Sequence, residues 1–280
     1  MRVLITGSNG FIGKKLREEL SKDYEVLGIF RSKENVINKK QDFQADLKIL
    51  KDINKIVNNL ETRDINSVDV IVHTASEVAV REKLESKEIL HSNDELTFNL
   101  IRLSSILSPS LFINLSSMSV YPYIDGTFSE ESLCLPSKND DFLYGLSKLN
   151  AEMVLQYFLP KLNCCLLNLR ISQVYGEGMR KDRIIPMMLE ELNKKNSITV
   201  YGNGVRTTNF IHVSDLVKAI KFFLESDLSG TFNIGKYNIS LLDLAKKLIE
   251  KEGDKESRII KIQEGKTENF LLDTSKLSKI

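Results

Sequence analysis

Tyr144 and Lys148 stand four residues apart in the run Tyr144-Gly145-Leu146-Ser147-Lys148. On a helix that spacing puts a phenol and an ammonium on one face. A free phenol titrates near about 10 and is a poor base at neutral pH. A neighbouring positive charge favours phenolate and lowers that value. The pair can then give or take a hydroxyl proton. The spacing is common by chance, and a plain helix-surface pair is the alternative. Upstream, Asn114-Leu115-Ser116-Ser117-Met118-Ser119-Val120-Tyr121 ends an apolar run in hydroxyls. At the carboxyl end of a parallel strand, such hydroxyls face a ligand crevice.

A third group lies near the N-terminus, in Thr6-Gly7-Ser8-Asn9-Gly10-Phe11-Ile12-Gly13. Gly7 suits a tight turn, Gly10 a close approach of backbone to a pyrophosphate, and Gly13 the packing of a helix on a strand. The helix that opens there offers free N–H groups and partial positive charge to phosphates. This predicts a dinucleotide. An acid ending the second strand would hold the adenosine ribose of NAD. Here Phe30 stands near that place and Arg31 follows. A guanidinium pairs with a 2′-phosphate, which favours NADP(H); a solvated surface arginine is the alternative, and NAD stays possible. Asp46 and Leu47 either border the adenine, or Asp46 caps the next helix. His73 and His212 have no carboxylate nearby in sequence, so packing or backbone bonding is expected of both.

The elements needed to hold these groups follow from periodicity. Short apolar runs at 2–6, 25–30, 68–73, 111–115 and 165–171 read as strands. Helical spacing alternates with them at 11–21, 47–60, 94–107 and 144–158. Apolar strands between amphipathic helices imply a parallel sheet covered on both faces. The expected fold is α/β: a Rossmann-like, doubly wound parallel sheet with a smaller C-terminal substrate lobe. The dinucleotide domain is placed at 1–175, also receiving roughly 209–234, and the discontinuous lobe at 176–280. The last thirty residues are charged and weakly periodic.

Composition sets limits. Among 280 residues, 39 Lys and Arg face 38 Asp and Glu, a net charge of +1. Such a chain has no global attraction to nucleic acid or acidic membranes. No leader is evident, and no run approaches the ~18 apolar residues of a membrane span. A cytoplasmic protein is expected. Cys134, Cys164 and Cys165 form no CxxC or Cys/His cluster, so buried reduced thiols are expected and no metal site.

Cradle, strand-end serines and YxxxK, in that order, resemble the short-chain dehydrogenase/reductases. The likeness is to the extended branch of NAD(P)-dependent nucleotide-sugar epimerases, dehydratases and reductases. Thr6 to Gly13 matches TGxxGFIG, and Val72-His73-Thr74-Ala75 resembles the strand-four segment that borders the cofactor. Asn93 and Asn99 fit N…TxNL; Arg170 to Gly176 resembles RxxNVYG; Gly202-Asn203-Gly204 through Asp215 resembles GxG…FIHVxD. The resemblance implies cofactor contacts at Gly7, Asn9, Gly10, Phe11, Ile12, Gly13, Thr74, Ala75 and Ser116. It implies Tyr144 as acid/base and Lys148 as the group that positions the nicotinamide ribose and lowers the phenol's pKa. Ser117 would bond the reacting sugar oxygen, while Gln173 and Arg206 would meet the nucleotide diphosphate. The family's arginine often falls two residues later, at Thr208 here.

Within that family, dehydratases carry an Asp-Glu pair after the catalytic hydroxyl. Met118-Ser119 replaces it, so no carboxylic acid is expected there to protonate a leaving hydroxyl. Arg31, the missing acid on the second strand and the chain length favour an NADPH-dependent reductase of a nucleotide-linked 4-keto-deoxysugar. A nucleotide-sugar 4-epimerase is the alternative; a non-catalytic dinucleotide-binding module is a third reading, disfavoured by the intact Ser117, Tyr144 and Lys148. The sequence runs through Asp273-Thr274-Ser275-Lys276 to Ile280 without the family's usual closing helix, which predicts a short substrate lobe. In many relatives the helices around 93–107 and 144–158 form a dimer bundle, so the resemblance implies a homodimer; the alternative is that their apolar faces only cover the sheet.

Overall fold

A computed structural model of the chain describes residues 1–31, 41–78 and 86–279. Seven strands form one parallel sheet: β1 (Arg2–Thr6), β2 (Glu25–Phe30), β3 (Asp42–Gln44), β4 (Val70–His73), β5 (Leu111–Ser117), β7 (Cys165–Ile171) and β11 (Gly230–Ile234). Their order in space is β11-β7-β5-β4-β1-β2-β3. The direction of winding reverses between β1 and β4, which opens a crevice at the strands' carboxyl ends.

The strand sequences read apolar throughout because both faces are covered. On β1, Leu4 packs against one helical layer, while Val3 and Ile5 pack against the other. The first layer is α2 (Leu50–Glu61), α3 (Lys87–Leu107) and α4 (Phe142–Phe158), represented in the core by Ile53, Leu100 and Leu155. The second is α1 (Phe11–Leu20) and α6 (Val213–Leu224), through Leu16 and Ile220.

Three smaller sheets sit beyond the carboxyl ends. β10 (Thr207–His212) lies between β8 (Gln173–Tyr175) and β12 (Tyr237–Ser240). β9 (Ser197–Tyr201) pairs with β13 (Arg258–Ile262), and β6 (Gly126–Phe128) with β14 (Phe270–Leu272). α5 (Ile184–Lys195) and α7 (Leu241–Glu252) close a separate apolar cluster around Val200 and Phe210. The short helix α8 (Ser275–Ser278) follows. The weakly periodic tail thus joins two sheets, through partners 61 and 144 residues away in the pairs Ser197–Arg258 and Gly126–Phe270. Local pattern carries no trace of such pairing.

Several boundaries move for visible reasons. α2 starts at Leu50 because Asp46 first makes a turn: its carboxylate accepts from the Lys48 N–H at 3.1 Å, and its carbonyl accepts from the Ile49 N–H at 2.9 Å. Asp46 therefore does not cap the helix. α3 starts earlier than its apolar spacing suggests, because Ser86 caps the Glu88 N–H. The thiols are all free, but only Cys164 is buried; Cys134 is half-buried, and Cys165, the first residue of β7, is exposed at the rim of the sheet. No helix among the described residues is long and apolar enough to cross a membrane.

Beneath the first helix, Arg17 and Asp42 form a buried ion pair at 2.5 Å that ties α1 to β3. Removing one partner leaves the other charged and enclosed. Asp42→Ala should lower the unfolding free energy by about 3–5 kcal/mol. The double substitution Arg17→Met with Asp42→Leu should recover most of it, as measured by urea denaturation.

Candidate active site

A cleft of about 630 Å³ runs along the carboxyl ends of the sheet, from Arg31, Asp46 and Leu47 at one end to Ser117, Tyr144 and Arg183 at the other. Its middle is the glycine turn. Gly7 has φ +66, a region that L side chains rarely adopt. A Cβ on Gly13 would lie 2.2 Å from the Gly7 carbonyl oxygen, so helix and turn can meet only without one. The Thr74 hydroxyl clamps the turn from below, donating to the Thr6 carbonyl at 2.6 Å. Gly10 precedes α1 with no side chain capping the helix. The first-turn N–H groups thus face the cleft through Phe11, Ile12 and Gly13, with Asn9 beside them. This is an anion cradle that fits a dinucleotide's pyrophosphate.

Two asparagines of α3 position the cradle's outer loops. Asn99 donates to the Leu47 carbonyl at 2.8 Å, and Asn93 holds both the N–H and the carbonyl of Glu77, at 2.7 and 3.0 Å. Thr74 and Ala75 line the cleft with them. So does Ser172, whose buried hydroxyl lacks a hydrogen-bond partner. Gln173, at the start of β8, lines it too.

At the far end, β5 delivers Ser117 and α4 delivers Tyr144 and Lys148. Ser117 and Tyr144 line the cleft together, and the Ser117 hydroxyl accepts from the Ser119 N–H at 3.1 Å. Lys148 is buried, and its ammonium donates to the Leu115 carbonyl at 2.9 Å. Burial pushes it down to about 8, against the pull of Glu152. Burial pushes the Tyr144 phenol up to about 12, and the charge of Asp141 adds to the rise. The opposing groups are Arg183 and Ser117, not the expected Lys148. Lys148 lies 5.7 Å from the ring centroid and is turned toward the strand. The rise favours the protonated phenol.

Two expected contacts are absent from the cleft. Ser116 points the other way, into the core, where its hydroxyl bonds Glu152; neighbours on a strand face opposite sides. Arg206 stacks over the Tyr123 ring at 4.4 Å instead of lining the cleft. His212 caps α6, its Nδ1 accepting from Ser214 N–H at 3.3 Å. His73 bonds the Thr6 hydroxyl at 2.8 Å, joining β4 to β1.

Other residues were not marked by sequence. Asp141, three before Tyr144, lines the cleft and accepts from the Ser119 hydroxyl at 2.9 Å. Burial raises its carboxyl. The stretch after Ser117 has no acid of its own, but the entry to α4 brings one to Ser119, which corrects the expectation that none stands there. Glu152 completes the helix-face series that begins at Tyr144 and Lys148, and it pairs with Arg170 at 2.7 Å. Its spacing of four from Lys148 was the available signal. Arg183 and Glu77 had none.

Residues 3–235 match the NAD dependent epimerase/dehydratase family, and the chain belongs to it. It is 28% identical over 300 residues to a dTDP-4-dehydro-6-deoxy-D-allose reductase of Streptomyces bikiniensis, covering 99% of this chain and 90% of that one. It is 30% identical over 263 residues to a dTDP-4-dehydro-6-deoxyglucose reductase of Escherichia coli, covering 89% and 79%. The fold matches MoeE5 in complex with UDP-glucuronic acid and NAD, with TM-score 0.82, 26% identity, and coverage of 100% and 92%. Dehydratases and epimerases match at similar identity. The chain is thus an NAD(P)-dependent, nucleotide-sugar modifying enzyme of this family.

His73 supplies a pH test of the cleft floor. Burial, aided by the charge of Lys148, pushes its imidazole down to about 3. The unfolded chain takes up a proton below about pH 6.5, and the folded chain does not. Stability is complete above that pH and is lost as pH falls toward 3. Between pH 7 and 5 the wild type should lose about 2 kcal/mol that His73→Asn does not, read by urea denaturation at each pH.

Proposed function

We propose that the chain is an NADPH-dependent reductase of a nucleotide-linked 4-keto-deoxysugar. The observation that carries this reading is the two-ended cleft. A protonated phenol and a serine hydroxyl line one end, and a guanidinium without a β2 acid the other.

When bound, the nicotinamide cofactor supplies the hydride to the carbonyl carbon. Ser117 bonds the carbonyl oxygen, and Tyr144 gives its proton to that oxygen as it gains negative charge. The phenolate left behind is stabilised by Arg183, which already pulls the phenol's pKa down. Lys148 is held by the Leu115 carbonyl with two further ammonium protons for ribose hydroxyls. Gly7, Asn9, Gly10, Phe11, Ile12 and Gly13 hold the diphosphate of the cofactor. Arg31 takes the 2′-phosphate, and Asp46 and Leu47 border the adenine. Gln173 contributes to the substrate's nucleotide end. The identity of the two reductases quoted above supports the direction of reaction.

Tyr144→Phe should lower turnover at least about a hundredfold while leaving NADPH affinity within twofold, since it removes the proton donor and nothing the cofactor needs. Substrate-level activity near wild type would overturn the role of Tyr144. Mass spectrometry of released cofactor tests the reaction itself. Tightly retained NAD in the purified protein would favour an epimerase, whereas exchangeable NADPH fits a reductase.

The same chain is proposed to form a homodimer through α3 and α4. Phe98, Met153 and Tyr157 are 53%, 63% and 62% exposed on these helices, a large apolar face for a chain so evenly charged. A groove of about 420 Å³ between Phe98, Ile101, Phe158 and Leu162 continues it. Wild type should run as a dimer in light scattering, and Met153→Glu with Tyr157→Glu as a folded monomer.

A further inference from the structure

Arg31 is not alone at its end of the cleft. Its Nη1 lies 3.3 Å from the Glu77 carboxylate. Both side chains line the cleft beside Phe30, Asp46 and Leu47. They come from strands on either side of β1: Arg31 follows β2, and Glu77 follows β4.

The backbone of Glu77 is fixed rather than loose. Asn93 bonds its N–H and its carbonyl, and the same Asn93 amide donates to Ser147 on α4 at 2.9 Å. Ser147 in turn donates to the Tyr144 carbonyl at 2.8 Å. The Glu77 side chain is therefore held at the cleft edge by its backbone, with its carboxylate partly exposed. An exposed ion pair of this kind contributes little and breaks readily. A phosphate dianion offers the guanidinium a stronger, charge-assisted partner. A carboxylate offers free ribose hydroxyls an acceptor.

We propose that Glu77 is a specificity-determining residue for the cofactor. Its carboxylate competes with a 2′-phosphate for Arg31 and repels that phosphate, and it accepts from the hydroxyls of an unphosphorylated adenosine ribose. The acid missing from the end of β2 is in effect supplied from the β4 side. Arg31 and Glu77 then act as opposed selectors, one for NADP(H) and one for NAD(H). The inference rests on the reading of Arg31 as the 2′-phosphate partner.

The test is the dissociation constant of NADPH and of NADH for the full chain, from nicotinamide fluorescence, without turnover. Glu77→Gln keeps the backbone bonds to Asn93 and removes the charge. It should tighten NADPH three- to tenfold and leave NADH unchanged or weaker, with an unaltered melting temperature. Arg31→Ala should weaken NADPH at least tenfold and NADH less than twofold. In the Arg31→Ala background, the gain from Glu77→Gln should shrink, because only repulsion remains. If Glu77→Gln leaves the NADPH-to-NADH ratio unchanged while Arg31→Ala moves it, the role of Glu77 is overturned and that of Arg31 stands. If Arg31→Ala leaves the ratio unchanged, the reading of Arg31 itself fails.

Discussion

The buried pair Glu152–Arg170 is the interaction on which the Tyr144 end of the cleft depends. Glu152 lies on the face of α4 that also carries Tyr144 and Lys148. Arg170 lies on β7 and reaches Glu152 through Nε at 3.0 Å and through Nη2 at 2.7 Å. The carboxylate also takes the Ser116 hydroxyl of β5, the residue beside Ser117. The guanidinium also donates to the Tyr121 hydroxyl at 2.8 Å, and Tyr121 donates on to Asn233 of β11 at 2.8 Å. Two charges out of water are tolerated only when paired and fully bonded. Here that requirement locks one helix to three strands.

The electrostatics are local throughout. A net charge of +1 gives the molecule no general attraction for phosphates. The cradle does not need one, because backbone N–H groups at a helix start bind anions at short range. The same economy applies at the far end of the cleft. Lys148, buried and tied to a carbonyl, spends its charge on position rather than on the phenol, and a cation from another segment, Arg183, faces the phenol instead. Burial dominates both titrations and moves them in opposite directions, the phenol up and the ammonium down.

Much of this was legible from residues alone. The glycine turn, the strand-end Ser117 and the Tyr144–Lys148 spacing are short-range patterns, and each constrains a single element or a single turn. The alternation of apolar strands with amphipathic helices likewise reports burial on both faces of a sheet. Ser116 shows the limit. Its neighbour faces the cleft, and a one-residue step along a strand reverses the side. Arg206 shows another: its place beside Tyr123 depends on a loop arriving from about eighty residues earlier in the chain. The tail was opaque for a similar reason, since β13 and β14 are strands only because β9 and β6 are there to pair with them.

By itself, then, the sequence determined the fold class, the glycine turn at the start of α1 and the phenol–ammonium spacing on α4, because those depend on local backbone freedom, burial periodicity and residue type. Only the tertiary structure decided which charges surround the Tyr144 phenol and which surround Arg31. Asp141 meets Ser119 across a gap of 22 residues, and Glu77 meets Arg31 across 46. Charge interactions act through space, so the partners that set a pKa are chosen by where the folded chain returns, and no local spacing encodes that.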